Sequence, residues 1–222
     1  MAERFFAADL HLGHAGMIMF ESEGRPIRPW GRAVGKKAIE LGLMSQEEAD
    51  ERLAAHDEAL IDNWNRVVGP SDKVEVLGDV VIGRSKRELL GRLNGKKRLR
   101  MGNHDIFVRR WNEDYKPYFE EITAYKVFDD LICSHIPLHP ASVKERWKAN
   151  VHGHLHTGRV MMPNPLYHRW AYSEDGGWGP EPPEEVIDPR YLCVSMEHID
   201  FTPIAIEEVY ERIAKQQETM DV

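Results

Sequence analysis

The sequence predicts an α/β fold, on three observations. Short apolar runs end abruptly in polar loops at several points along the chain, and segments with helical spacing alternate with them. The composition, 42% hydrophobic and 30% charged over 222 residues, is that of a globular chain and not of a disordered one. Strand and helix in alternation are the pattern of an α/β layer architecture, and the length suits a single domain over residues 1–222.

The first apolar run, Arg4 to Ala8, stops at Asp9-Leu10-His11-Leu12-Gly13-His14, as a buried strand does where it empties into a loop. Ser45-Gln46-Glu47-Glu48 then has the form of a capping box, with Ala49, Leu53, His56, Leu60, Trp64 and Val67 following at helical spacing. A helix of about 20 residues is expected there, inside a helical insertion around residues 31–68. Lys73 to Leu77 runs into Gly78-Asp79, Arg98 to Met101 into Gly102-Asn103-His104-Asp105, and Leu131 to Cys133 into Ser134-His135. Ser85 to Leu93 and Ile206 to Gln216 read as helices, and Tyr191 to Met196 as a strand. Residues 163–189 hold six prolines plus Gly176, Gly177 and Gly179, which predicts a long irregular loop in which Trp170 and Trp178 either pin the loop to the core or stack on a base, pinning being preferred.

Composition also narrows the partners. The formal charge is -8, and Lys and Arg occur only in short clusters such as Lys96-Lys97-Arg98, so extended nucleic acid is disfavoured. Met1-Ala2-Glu3-Arg4 lacks the apolar stretch of a signal peptide, and no segment reaches the length of a membrane span. A cytoplasmic protein without membrane attachment is expected. Cys133 and Cys193 sit in apolar runs and are expected as buried free thiols.

In α/β folds, polar groups at the carboxyl ends of core strands converge on one crevice. The groups so placed are Asp9, His11, Asp79, Asn103, His104 and His135, joined by His154 and His156 of Gly153-His154-Leu155-His156. Carboxylate, imidazole and amide oxygen without thiolate suit borderline divalent ions: Mn, Fe, Co, Ni or Zn. Each piece alone is weak, since a lone Asp-x-His is more often a strand end and Gly-Asp an ordinary turn. The ordered series carries the argument.

That series, Asp9-x-His11, Gly78-Asp79, Gly102-Asn103-His104-Asp105, a lone His135, then Gly153-His154-Leu155-His156, resembles the calcineurin-like metallophosphoesterase superfamily. The text around Asp9 and at Phe201-Thr202-Pro203-Ile204 is most similar to a small bacterial and phage subgroup of phosphoesterases. The resemblance implies two packed, mixed β-sheets flanked by helices. It implies two divalent ions, Mn foremost, the first on Asp9, His11, Asp79 and His156, the second on Asp79, Asn103, His135 and His154. His104 would face the substrate as general acid, with Asp105 orienting it. The implied reaction is hydrolysis of a small phosphorylated substrate, a phosphodiester or nucleotide before a phosphoprotein, by hydroxide held between the ions.

Two departures from better-known branches narrow this further. Val80-Val81-Ile82-Gly83-Arg84 lacks the Asp-Arg-Gly of protein serine/threonine phosphatases, and no tyrosine follows Asp79 as in purple acid phosphatases. The rival readings are a non-catalytic metal-binding scaffold and a nuclease acting on short nucleic acids. His14, Arg84 and Arg159 are weaker candidates for substrate contact, the arginines because a guanidinium binds phosphate bidentately although most arginines are simply solvated. His139, His168 and His198 belong to no block and are expected as ordinary surface or loop residues.

Overall fold

The protein is represented by a computed structural model that describes residues 2–35, 37–107, 111–143, 146–164, 170–172, 178–180 and 184–218. The strands of its two main sheets are, in chain order, β1 (Arg4–Ala7), β2 (Lys73–Val76), β3 (Lys96–Arg100), β4 (Glu121–Thr123), β5 (Tyr125–Phe128), β6 (Leu131–Ser134), β7 (Ala149–His152), β8 (Tyr191–Cys193) and β9 (Ile204–Ala205). The two long helices are α1 (Gln46–Val67) and α2 (Ile206–Glu218).

One sheet has the order β9-β1-β2-β3-β4, parallel throughout except for antiparallel β9. The other has the order β8-β7-β6-β5, parallel except for antiparallel β5. Both sheets are mixed. Phe6, Val76 and Leu99 of the first sheet and Leu131, Cys133, Val151 and Leu192 of the second belong to one continuous buried cluster. The architecture is therefore the expected α/β class, two packed mixed sheets with helices outside. Central parallel strands covered on both faces read as unbroken apolar runs, which is why Phe5, Phe6 and Ala7 are all buried. Glu75 on β2 and Arg100 on β3 are among the exceptions, a buried ion pair in which Glu75 also meets Arg4.

The chain passes from the edge of one sheet to the edge of the other between β4 and β5 through Ala124 alone. Helix α1 begins as expected, with Ser45 Oγ accepting the Glu48 N–H at 3.0 Å, and buries Ala49, Leu53, His56, Leu60 and Trp64 along one face. The helical insertion proves shorter than 31–68, because the described residues before Gln46 form turns over a small core of Ile18, Met19, Ala38 and Met44. The segment read as a helix from Ser85 to Leu93 is a 3₁₀ helix, Arg84–Arg92, of which only Leu90 is buried.

The irregular loop expected over residues 163–189 is corrected by two antiparallel ladders, Met161–Pro163 with Glu185–Ile187 and Trp170–Tyr172 with Trp178–Pro180. Proline is compatible with strand ends and edges, where a missing N–H breaks no ladder bond, and Pro163 and Pro180 are terminal residues of their strands. His168 and the side chains of Trp170 and Trp178 lie outside what is described. Cys133 and Cys193 are free and buried. Among the described residues no helix is long and apolar enough to cross a membrane.

Candidate metal centre

Strand ends from both sheets meet at one place. Asp9 follows β1, Asp79 follows β2, Asn103 and His104 follow β3, His135 follows β6, and His154 and His156 follow β7. Backbone hydrogen bonds hold these loops together: Ala8 N to Val194 O at 3.0 Å, Asp9 N to Gly78 O at 3.0 Å and Gly153 N to His135 O at 3.0 Å. Asp9, His11, Asp79, His154 and His156 all have positive φ, between 50° and 73°, a left-handed conformation that Asp and His tolerate better than most residues but that concentrates at functional sites. The motif glycines answer to close approach. A Cβ on Gly102 would lie 2.2 Å from Asp79 Oδ1, and one on Gly153 would lie 2.5 Å from Asp9 Oδ2.

At each ligand one polar atom is tied to the protein and another is left facing the cluster. Asp9 Oδ2 accepts from His154 N (2.8 Å) and Ser195 Oγ (2.7 Å), while Asp9 Oδ1 is buried without a hydrogen-bond partner. Asp79 Oδ1 accepts from His104 N (2.9 Å), and its Oδ2 lies 3.4 Å from His135 Nε2, 3.7 Å from His11 Nε2 and 3.9 Å from His104 Nε2. His135 Nδ1 is 2.8 Å from the Leu77 carbonyl; a carbonyl only accepts, so Nδ1 carries the proton and Nε2 turns toward Asp79. His11 Nδ1 meets His14 Nδ1 at 3.1 Å, and His11 Nε2 is buried without a partner. Three sets of ligand atoms fall within 4.8 Å of one another: Asp9, His11, His156; His11, Asp79, His104; and Asp9, Asp79, His135. These sets overlap through Asp9, His11 and Asp79 and could hold divalent metal.

The protonation states follow from the same packing. Burial opposes a charged Asp9, but the His11 ring, at 3.8 Å too distant for a hydrogen bond, and the charges of His135 and His156 outweigh it and hold the carboxyl far below the usual range. Burial likewise opposes a charged His135, yet Asp79 and Asp9 win and raise it to about 9. His14 is pushed down to about 3 by burial and by the neighbouring His11 and His104, which leaves it a neutral partner for His11. Protons thus stand where divalent charge would, and an ion would displace them.

Most of the sequence-predicted residues come together here. His14 does so as well, its ring 5.1 Å from His11 and 5.7 Å from His104. Asn103 Oδ1 is 2.9 Å from His135 Nε2. The His154 ring packs edge-on against His135 at 5.1 Å but belongs to none of the three convergent sets. His104 is 40% exposed and its ring nitrogen joins the His11–Asp79 set, closer to the ligands than a purely substrate-facing residue requires.

Asp105 is a correction. Its carboxylate does not orient His104; it accepts from Gly102 N (2.8 Å), Asp79 N (2.7 Å), Val80 N (3.3 Å) and Tyr115 Oη (3.0 Å), so it is engaged in bracing the Asp79 loop. Arg84 and Arg159 are drawn elsewhere. Arg84 faces Asp114 at 3.5 Å, and exposed Arg159 lines a separate cavity of about 350 Å³ with Leu192, His198 and Arg212. Of the histidines outside the blocks, His198 faces the Gly158 carbonyl at 3.0 Å.

Sequence reasoning missed a buried group behind the ligands. Arg28, from the loop before α1, lies 2.8 Å through Nε from Glu197 Oε1, and Glu197 Oε1 is 3.1 Å from His156 Nδ1. Burial would raise the Glu197 pKa, but Arg28 and His156 together hold it down at about 2. Glu197 had a signal: it ends the strand-like Tyr191 to Met196 run, as the recognised ligands end theirs. Arg28 had none.

The fold and site define an α/β two-sheet protein with an Asp–His cluster fit to hold divalent metal. No family model matches the chain. Over 212 residues it is 25% identical to the Gene 66 protein of Mycobacterium phage L5, covering 81% of this chain and 89% of that one. Over 115 residues it is 46% identical to an uncharacterized protein of Methanocaldococcus jannaschii, covering 50% of this chain and 51% of that protein. The crystal structure of a protein of unknown function from Aquifex aeolicus matches at TM-score 0.52 and 21% identity, over 95% of this chain and 99% of that one. That likeness is one of fold.

Proposed function

We propose that this chain is a metallophosphoesterase of the calcineurin-like type, hydrolysing small phosphate esters, phosphodiesters or nucleotides foremost, with two divalent ions. The observation that carries the reading is the pair of buried, unpartnered atoms Asp9 Oδ1 and His11 Nε2, 3.8 Å apart. Leaving such groups unsatisfied costs about 1–3 kcal/mol each, and a cation between them removes that cost. The phosphate ester rests on the motif order. When bound, two such ions activate water and stabilise charge developing at phosphorus. Asp79, whose Oδ2 faces both His11 and His135, would be the ligand that two ions share. His104, being partly exposed, donates a proton to the departing oxygen, and neutral His14 keeps His11 directed at the ions through Nε2.

The test is exhaustive chelation followed by reconstitution with Mn, Fe, Co, Ni, Zn or Mg, reading hydrolysis of an aryl phosphodiester and of nucleotides. Chelation should abolish turnover, and Mn should restore it better than Mg, because a histidine-rich site is a poor match for a hard, oxygen-seeking ion. Full activity in Mg alone would overturn the ligand assignment. Two ions bound with no phosphate ester hydrolysed would favour the scaffold reading.

A further inference from the structure

We propose that Glu197 and Arg28 form an outer shell for the ion position built by Asp9, His11 and His156, setting the affinity of that position separately from the other. This rests on the metal-centre reading above. Glu197 Oε1 lies 3.1 Å from His156 Nδ1; a carboxylate only accepts, so the ring carries its proton there and has Nε2 free as ligand atom. A carboxylate behind a ligating imidazole fixes its tautomer and raises its basicity.

One guanidinium ties this carboxylate to the opposite wall of the same position. Arg28 Nε donates to Glu197 Oε1 (2.8 Å), one terminal nitrogen donates to the Asp9 carbonyl (2.5 Å) and the other to the Leu10 carbonyl (2.8 Å). The backbone so clamped is the Asp9-Leu10-His11 turn, whose first and last residues have positive φ. The chain of contacts continues into α1. His56 Nε2 is 2.6 Å from Arg28, His56 Nδ1 is 2.9 Å from Asp57 Oδ1, and the Asp57 carboxylate accepts the Gly13 N–H at 3.0 and 3.1 Å.

The Arg28 and Glu197 side chains are 0% and 3% exposed. A buried ion pair is weak evidence for stability, since desolvation offsets most of its attraction, so its place against both His156 and the Asp9–Leu10 backbone calls for another explanation. The second position is built differently. His135 is backed by a neutral backbone carbonyl, Leu77 O, and Asp79 is braced by Asp105 from the other side. The imidazole of the first position is thus backed by an ion pair and that of the second by a backbone carbonyl. Asp9 belongs to both sets, but its carboxylate is held by His154 N and Ser195 Oγ, so a perturbation of Glu197 or Arg28 should act through His156 and weaken the first position before the second.

The experiment uses the full chain. Glu197→Gln keeps the shape of the side chain and an acceptor for His156 but removes the charge, and Arg28→Lys keeps the charge but loses the fork. Mn and Zn are titrated into chelated wild type and both variants by calorimetry and chelator competition, with His156 ring nitrogens followed by ¹⁵N NMR. Wild type should bind two ions per chain with His156 protonated on Nδ1. Each variant should weaken one ion about 10- to 100-fold and leave the other within about twofold. Wild type binding no ion would sink the metal-centre reading and this inference with it. Two ions in wild type with both unchanged in the variants, or both weakened alike, would overturn the inference alone. Should Glu197→Gln fail to fold, Arg28→Lys and the wild-type spectrum decide: a His156 ring protonated on Nε2 in wild type overturns it.

Discussion

Gly102→Ala adds one methyl group where the site has no room for it. A Cβ there would lie 2.2 Å from Asp79 Oδ1 and 2.7 Å from Asp79 N, whereas Cβ contacts under 3.0 Å essentially never occur. The carboxylate must therefore retreat by at least 3.0 − 2.2 = 0.8 Å. Gly102 is not among the positive-φ glycines, so the alanine backbone itself is unstrained and the effect is confined to this collision. Asp79 Oδ1 is held by His104 N and its Oδ2 faces His11 and His135, so the shift draws the shared ligand from both ion positions at once. Misplacement by about 1 Å at a reacting centre costs on the order of 10²-fold, and we expect about that loss in turnover, with weaker binding of both ions. Gly91→Ala is the control, since its Cβ would meet nothing closer than Tyr118 Cε1 at 3.3 Å. The assay combines ion titration, initial rates on an aryl phosphodiester and thermal unfolding. A folded Gly102→Ala protein with wild-type ion affinity and turnover would refute Asp79 as the shared ligand.

His104→Ala separates proton donation from ligation. A general acid lost with both ions retained should lower turnover roughly 10²- to 10⁴-fold on substrates with poor leaving groups and much less on nitrophenyl esters; loss of one ion, or a rate defect independent of leaving-group pKa, would make His104 a ligand instead. The raised pKa of His135, about 9 against an ordinary 6.5, fixes a pH dependence. In the chelated protein the folded chain holds this proton more tightly than the unfolded chain, so its stabilisation is complete below about pH 6.5 and is lost as pH rises through about 9. An ion must displace the same proton, so apparent ion affinity should rise over that window. Melting curves of chelated and ion-loaded protein should diverge with increasing pH, and a chelated protein with a flat Tm from pH 6.5 to 9 would count against the Asp79–His135 pairing.

How much was legible in the sequence depended on whether a residue's partner was near it in the chain. Asp79 and His154 follow glycines whose missing Cβ makes room for a neighbouring ligand, the His135 ring at Gly78 and the Asp9 carboxylate at Gly153, and each sits where an apolar run stops, so both motif and strand end point to them. The two-sheet arrangement followed from the motif resemblance, and α1 from its capping box and apolar spacing. Asp105 was misassigned because adjacency to His104 suggested a contact, whereas its carboxylate turns back to Asp79 N, 26 positions away. Arg28 reaches Glu197 across 169 positions, and nothing local distinguishes it from a solvated arginine. The ladders at residues 161–187 were hidden by prolines that lie at strand ends.

The Asp–His cluster is divided between the two sheets. Asp9, Asp79 and Asn103 hang from one and His135, His154 and His156 from the other, while among the described residues the chain crosses between the sheet edges at Ala124 and again between β8 and β9. An ion held by donors from both sides would therefore act as a clasp, because the layers could not part without releasing it. Ligand present at about 100 times its dissociation constant adds about 2.7 kcal/mol to the stability of the state that binds it, comparable to a disulfide, and unlike a disulfide it comes and goes with the concentration of free metal. A chain of this kind would grow looser as metal becomes scarce, along the seam between its two sheets.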